Sequence, residues 1–127
     1  MTRFDAATPG DRRKLFVDAI TAHRERASPF LTVEADADPD ELAPWVQVSE
    51  DTINMDCTDA ELDRLKDLLT EFPAFTIDDL TRPEEAEGTN VRVVGRGDAN
   101  RVAQFVDRAF AEAFDLTDEY RAWVVEV

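Results

Sequence analysis

Between residues 102 and 114, Val102, Phe105, Val106, Ala109, Phe110, Ala113 and Phe114 recur on one stripe at helical spacing. A helix with a single apolar face is marginal alone in water and must lay that face on another element. The chain is therefore bound to a layered fold, and the remaining sequence shows what the layers are. A second helix is predicted to start at Thr58, where Thr58 and Glu61 spell a capping box. Its apolar face carries Leu62, Leu65, Leu69 and Phe72, with Leu68 beside them, and Pro73 stops it. A third begins at Thr8-Pro9, a good N-cap followed by a proline at the first helical position. It runs through Leu15, Phe16, Ala19, Ile20 and His23 and ends before Ser28-Pro29.

The stretches between these helices read as strands. Phe30 to Glu34 is one; Trp45 to Val48 and Thr52 to Asp56 form a hairpin across Ser49-Glu50-Asp51. Phe75 to Asp78 and Val91 to Val94 follow, and Tyr120 to Val127 is the last. Residues 35–41 and 81–88 are acidic, proline-containing loops that cannot bury themselves. Gly95-Arg96-Gly97 turns the chain, with Asp98 as the cap of the final helix. The expected order is α-β-β-β-α-β-β-α-β: a single α+β domain over residues 1–127, with three helices on one face of a mainly antiparallel or mixed sheet.

Charge constrains the surface. Of 127 residues, 29 are acidic and 14 basic, a net charge of −15, and the only lysines are Lys14 and Lys66. Losing lysine removes long apolar stems from the surface. The carboxylates that replace it hold water and cations. In dilute buffer such charge opposes compaction, but in molar salt the Debye length falls to about 3 Å and the repulsion is screened. The composition resembles that of cytoplasmic proteins from salt-loving archaea. Acidity read as solvent adaptation weighs only lightly against nucleic acid. No apolar run is long enough to span a bilayer, and Met1-Thr2-Arg3-Phe4-Asp5 lacks the apolar core of a secretory signal. Cys57 is the sole cysteine and has no internal partner, which fits a reducing cytoplasm.

The first eight elements resemble the α-β-β-β-α-β-β-α order of type III secretion chaperones and YbjN-like proteins. That resemblance implies a dimer that binds partner polypeptides; the strand from Arg121 onward is extra to it. The segments Met1-Thr2-Arg3-Phe4-Asp5-Ala6 and Tyr120-Arg121-Ala122-Trp123-Val124-Val125-Glu126 also resemble small uncharacterised haloarchaeal proteins, which implies no activity.

Candidate sites follow from residue type and place. Arg92, Arg96 and Arg101 surround the turn before the last helix, where helix amides favour anions, and form a candidate anion site. Asn100 stands where a dinucleotide fingerprint needs its third glycine, and no Gly-Lys-Ser/Thr is present. No cofactor is therefore expected. The acids Asp78-Asp79, Glu84-Glu85-Glu87 and Asp36, Asp38 and Asp40 lack the spacing of a hard-cation site, so no metal is expected and they read as solvated surface. The arginines of the last third, and Arg12-Arg13-Lys14, read as partners of interleaved acids such as Asp107, Glu112 and Asp11. His23 reads as a core-edge residue and Cys57 as a buried, inert thiol. No catalytic residue is assigned. Tyr120, Trp123, Val125 and Val127 line the terminal strand and form a candidate interaction surface, ready to pair with a second copy if that strand is an edge. Trp45 is a further aromatic of the same kind.

The leading expectation is a non-enzymatic protein-interaction module, chaperone-like or an adaptor, working as a homodimer or with a protein partner and without a membrane. A small-molecule or anion-binding domain, or an enzyme, using the 95–101 turn is the alternative. A nucleic-acid regulator ranks third, since no helix pair has the short turn of a helix-turn-helix.

Overall fold

A computed structural model describes residues 5–27, 30–35, 44–82, 88–117 and 119–126. The chain opens with a short strand β1 (Asp5–Ala6), followed by helix α1 (Pro9–Arg26), strands β2 (Leu31–Ala35), β3 (Trp45–Val48) and β4 (Thr52–Cys57), and helix α2 (Asp59–Leu69). Strands β5 (Phe75–Thr81) and β6 (Thr89–Gly95), helix α3 (Ala99–Arg108), one π-helical turn (Ala109–Ala113) and β7 (Ala122–Glu126) complete it.

Each helix starts where its side chains dictate. The Thr8 hydroxyl accepts from the Asp11 amide at the head of α1. At α2 the Glu61 amide donates to the Thr58 hydroxyl at 3.2 Å, and the Thr58 amide donates back to the Glu61 carboxylate at 2.8 Å. Asp98 accepts from the Arg101 amide at the head of α3. Arg64 reaches the other end of this layer and donates to the Ala113 carbonyl at 2.9 Å, satisfying an acceptor that the π-turn leaves open.

The sheet has seven strands in the order β1-β7-β2-β3-β4-β6-β5, and every ladder is antiparallel. Burial alternates along the inner strands: Leu31, Val33 and Ala35, then Val46 and Val48, then Ile53, Met55 and Cys57, point into the core. One face is thus apolar and carries the helices. The predicted stripe is buried from Val102 to Phe114. Phe105 stacks on Phe75 at 5.2 Å and meets Phe72 edge-on at 5.3 Å, joining α3 to the sheet and to the end of α2.

The structure departs from the sequence reading in several places. A strand, β1, precedes the first helix; two residues carry no alternation to read, and they pair with Ala122 and Trp123 at the far end of the chain. Helix α2 ends at Leu69, Leu68 lies deep in the core, and Leu69 is only partly buried. Strand β5, expected to end at Asp78, runs on along an exposed edge to Thr81, the first residue of the expected loop, with its register slipping at Asp78. The terminal strand is not an edge along its first residues, since β1 flanks it there. The expectations at Ser28-Pro29, at Asp36, Asp38 and Asp40, at Glu84-Glu85-Glu87 and at Val127 lie outside the described residues.

Candidate functional site

The face of the sheet away from the helices is the first candidate. Alternation turns Glu34 outward, and the register sets it opposite Trp45 on one side and Trp123 on the other. Both tryptophans are half-buried. The next row crosses the sheet as Thr32, Gln47, Asn54 and Arg92. Arg92 is held by Asp78, whose carboxylate accepts from its Nε at 2.9 Å. Val125 sits on a bulge that the register skips and is 56% exposed. This face combines two large aromatics, a polar row and charges of both signs.

A second cluster lies inside. Arg12 is 1% exposed, so its charge must be met within the protein. Its Nε donates to the Asp107 carboxylate at 3.0 Å, and its Nη1 donates to the carbonyls of Ala7 at 2.8 Å and Tyr120 at 2.9 Å. The guanidinium lies 3.9 Å over the Tyr120 ring. The Tyr120 hydroxyl donates to the same Asp107 oxygen at 2.7 Å. Burial, then the Asp107 charge, pushes this phenol well above its usual range, so it stays a donor. The cluster ties α1, α3 and the approach to β7 together. Tyr120, expected at an interaction surface, is instead a buried part of it.

The third candidate is a cleft of about 740 Å³ at the end of α1. His23, Arg24 and Ala27 line one side; Ser49, Glu50 and Asp51 of the β3–β4 turn and Arg96 and Gly97 line the other. Arg24 Nη2 donates to the Gly97 carbonyl at 2.9 Å and so pins the helix end to the turn. Arg96 is 89% exposed, its guanidinium 3.7 Å from Asp51. Ala27 closes the helix with φ 51°, a left-handed conformation that strains a residue with a Cβ. His23 is 3% exposed, and its Nδ1 is buried without a hydrogen-bond partner among the described residues. Burial, aided by Arg24, lowers its pKa, so the imidazole is neutral at pH 7.

The three arginines of the sequence-based anion site do not share a space. Arg92 faces Asp78 on the open sheet face. Arg101 donates to the Glu71 carbonyl and to Gln104, with its guanidinium 4.2 Å over the Phe72 ring. Only Arg96 lines the cleft. Gly95 is explained by packing, because a Cβ there would run into the Ala74 carbonyl and the Phe75 ring. Neither it nor Gly97 has a positive φ. Arg108 pairs with Glu112 and Glu71, and Arg121 pairs with Asp5. Cys57 is 1% exposed; burial, then Glu61 and Asp56, pushes its thiol up to about 12, which keeps it protonated. Among the described residues no carboxylate side chain belongs to the buried core, and no three His, Cys, Asp or Glu side chains converge as metal ligands. No helix among them is long and apolar enough to cross a membrane.

Sequence reasoning missed the burial of Arg12, since it sits in the run Asp11-Arg12-Arg13-Lys14 and its partner Asp107 lies far along the chain. It also missed the cleft, which needs three separate turns to meet. The one usable signal was the place of Arg12 and His23 on the same stripe as Phe16, Ala19 and Ile20.

An antiparallel sheet with all its described helices on one face, and a polar cleft at one end, defines a two-layer α+β protein. The chain belongs to DUF7975, a family of unknown function whose model matches residues 1–127. No curated protein and no solved structure matches it.

Proposed function

We propose that the protein is a non-enzymatic interaction module of a high-salt cytoplasm, an adaptor or chaperone-like protein that pairs with a second copy of itself through the open face of its sheet. The single observation behind this reading is the Trp45–Glu34–Trp123 row. Half-buried tryptophans around a carboxylate, on a face that none of the described helices covers, have the make-up of an interaction hot spot. Glu34 on β2 and Arg92 on β6, separated by β3 and β4, give the face both signs of charge, which suits a two-fold, self-complementary contact. The acidic coat supports the high-salt setting: it sets like charge against like charge as two copies meet, and salt relieves it.

Sedimentation of the full chain at low salt and in about 2 M KCl, where screening acts within a few ångströms, tests the reading. A dimer is expected at high salt, weakened at least tenfold by Trp45→Ala. A chain that stays monomeric at every salt concentration overturns it.

A further inference from the structure

The cleft at the end of α1 is independent of the open sheet face, and its lining has an unusual balance. Arg24 and Arg96 bring two guanidinium groups, and Glu50 and Asp51 bring two carboxylates. Arg24 spends one N–H on the Gly97 carbonyl. Arg96 spends none on a described residue at hydrogen-bond distance, because 3.7 Å to Asp51 is too long. Four charged groups stand around one opening, with most of their hydrogen-bonding capacity unused among the described residues.

His23 sets the floor. Its buried Nδ1 has no partner among the described residues. An under-satisfied lone pair inside a protein costs less than an orphaned N–H, so the proton of the neutral ring belongs on Nε2. The Nε2–H is then the donor this ring has to offer the cleft it lines. That donor and the two guanidinium groups suit the oxygens of a carboxylate. Glu50 and Asp51 suit an ammonium group.

We propose that this cleft binds a small zwitterion, a molecule of the α-amino acid class, with its carboxylate toward Arg96, Arg24 and His23 and its ammonium toward Glu50 and Asp51. The local balance favours this class over a plain anion. Glu50 and Asp51 offset Arg24 and Arg96 at short range, where salt screens least, so a plain anion meets as much repulsion as attraction while a zwitterion matches both signs in the lining. The volume, about 740 Å³, lies in the range of small-molecule sites.

His23 is the only histidine, so one imidazole Hε1 resonance reports on the site without ambiguity. The protein α-amino acids are titrated one at a time into the full chain, with acetate and methylammonium as the two charged halves at matched ionic strength. At least one amino acid is expected to give a saturable shift of this resonance, with acetate and methylammonium each binding at least ~10-fold more weakly. Arg96→Gln, at an exposed side chain that leaves the fold intact, is expected to weaken binding roughly tenfold, the value of one charge-assisted hydrogen bond. Asp51→Asn is expected to weaken it to a smaller extent. No saturable shift with any amino acid overturns the proposal. Acetate binding as well as the best amino acid overturns it in favour of a plain anion site. A shift that Arg96→Gln leaves unchanged overturns it by placing the ligand elsewhere.

Discussion

The two ends of α1 handle buried polarity in opposite ways. Near its start, Arg12 is nearly inaccessible, yet its guanidinium meets a carboxylate, two carbonyls and an aromatic face. Near its end, on the same buried face, His23 has a ring nitrogen with no partner among the described residues, and four residues later Ala27 takes a strained left-handed turn. A fully met polar cluster fixes how elements dock. An unmet group beside strain is what a binding site retains at some cost to stability. The contrast assigns structure to the first end of the helix and recognition to the second.

The largest expected effect strikes the satisfied end. Arg12→Ala leaves Asp107 without its ion pair and three acceptors short of a donor; thermal unfolding should show a loss of about 3 kcal/mol, a midpoint roughly 10 °C lower. Should the loss stay below about 1 kcal/mol, the cluster does not hold the docking together. Tyr120→Phe removes one hydrogen bond to Asp107 and keeps the ring, and denaturant titration should register about 1 kcal/mol.

At the other end the signs reverse. The unfolded chain takes up a proton on His23 near the ordinary value of 6.5, while burial and Arg24 make the folded chain resist it. Acid therefore favours unfolding: the His23 contribution is whole above about pH 6.5 and is lost as the pH falls below it. Glu50, Asp51 and Arg96 share this cleft, but burial and then the Arg24 charge set how far the loss extends. His23→Leu should flatten that slope and raise stability at pH 6 by about 0.5 kcal/mol, since it replaces an unpartnered polar group with an apolar one. A slope that survives the substitution would trace the acid sensitivity to the carboxylates instead. Ala27→Gly should stabilise by a similar amount, about 0.5 kcal/mol in denaturant titration, through relief of the left-handed strain.

Local chemistry made much of the fold legible. Thr8, Thr58 and Asp98 announce their helices because a cap is a contact between near neighbours. The stripe from Val102 to Phe114 announces a one-sided layer because periodicity survives without knowledge of the partner. What stayed hidden depends on distant pairing. Asp5-Ala6 becomes a strand only because Ala122-Trp123 lies alongside. Asp79 to Thr81 continues β5 because β6 supplies a ladder that local sequence alone does not predict. The cleft was half legible: the turn at Arg96 and Gly97 stood out, but His23 read as a core-edge residue, and nothing local brings the two together. Tyr120 reads as surface in the sequence because an aromatic next to a charged run gives no sign of which way it faces.

The place of β7 has a consequence for how the molecule is made. It lies between β2 and β1. On a ribosome, β2 therefore emerges with one ladder unfilled and keeps it so until β3 to β6, α2 and α3 have followed it out. The sheet closes around a slot held open for a segment distant in sequence, which makes its assembly a late, non-local step.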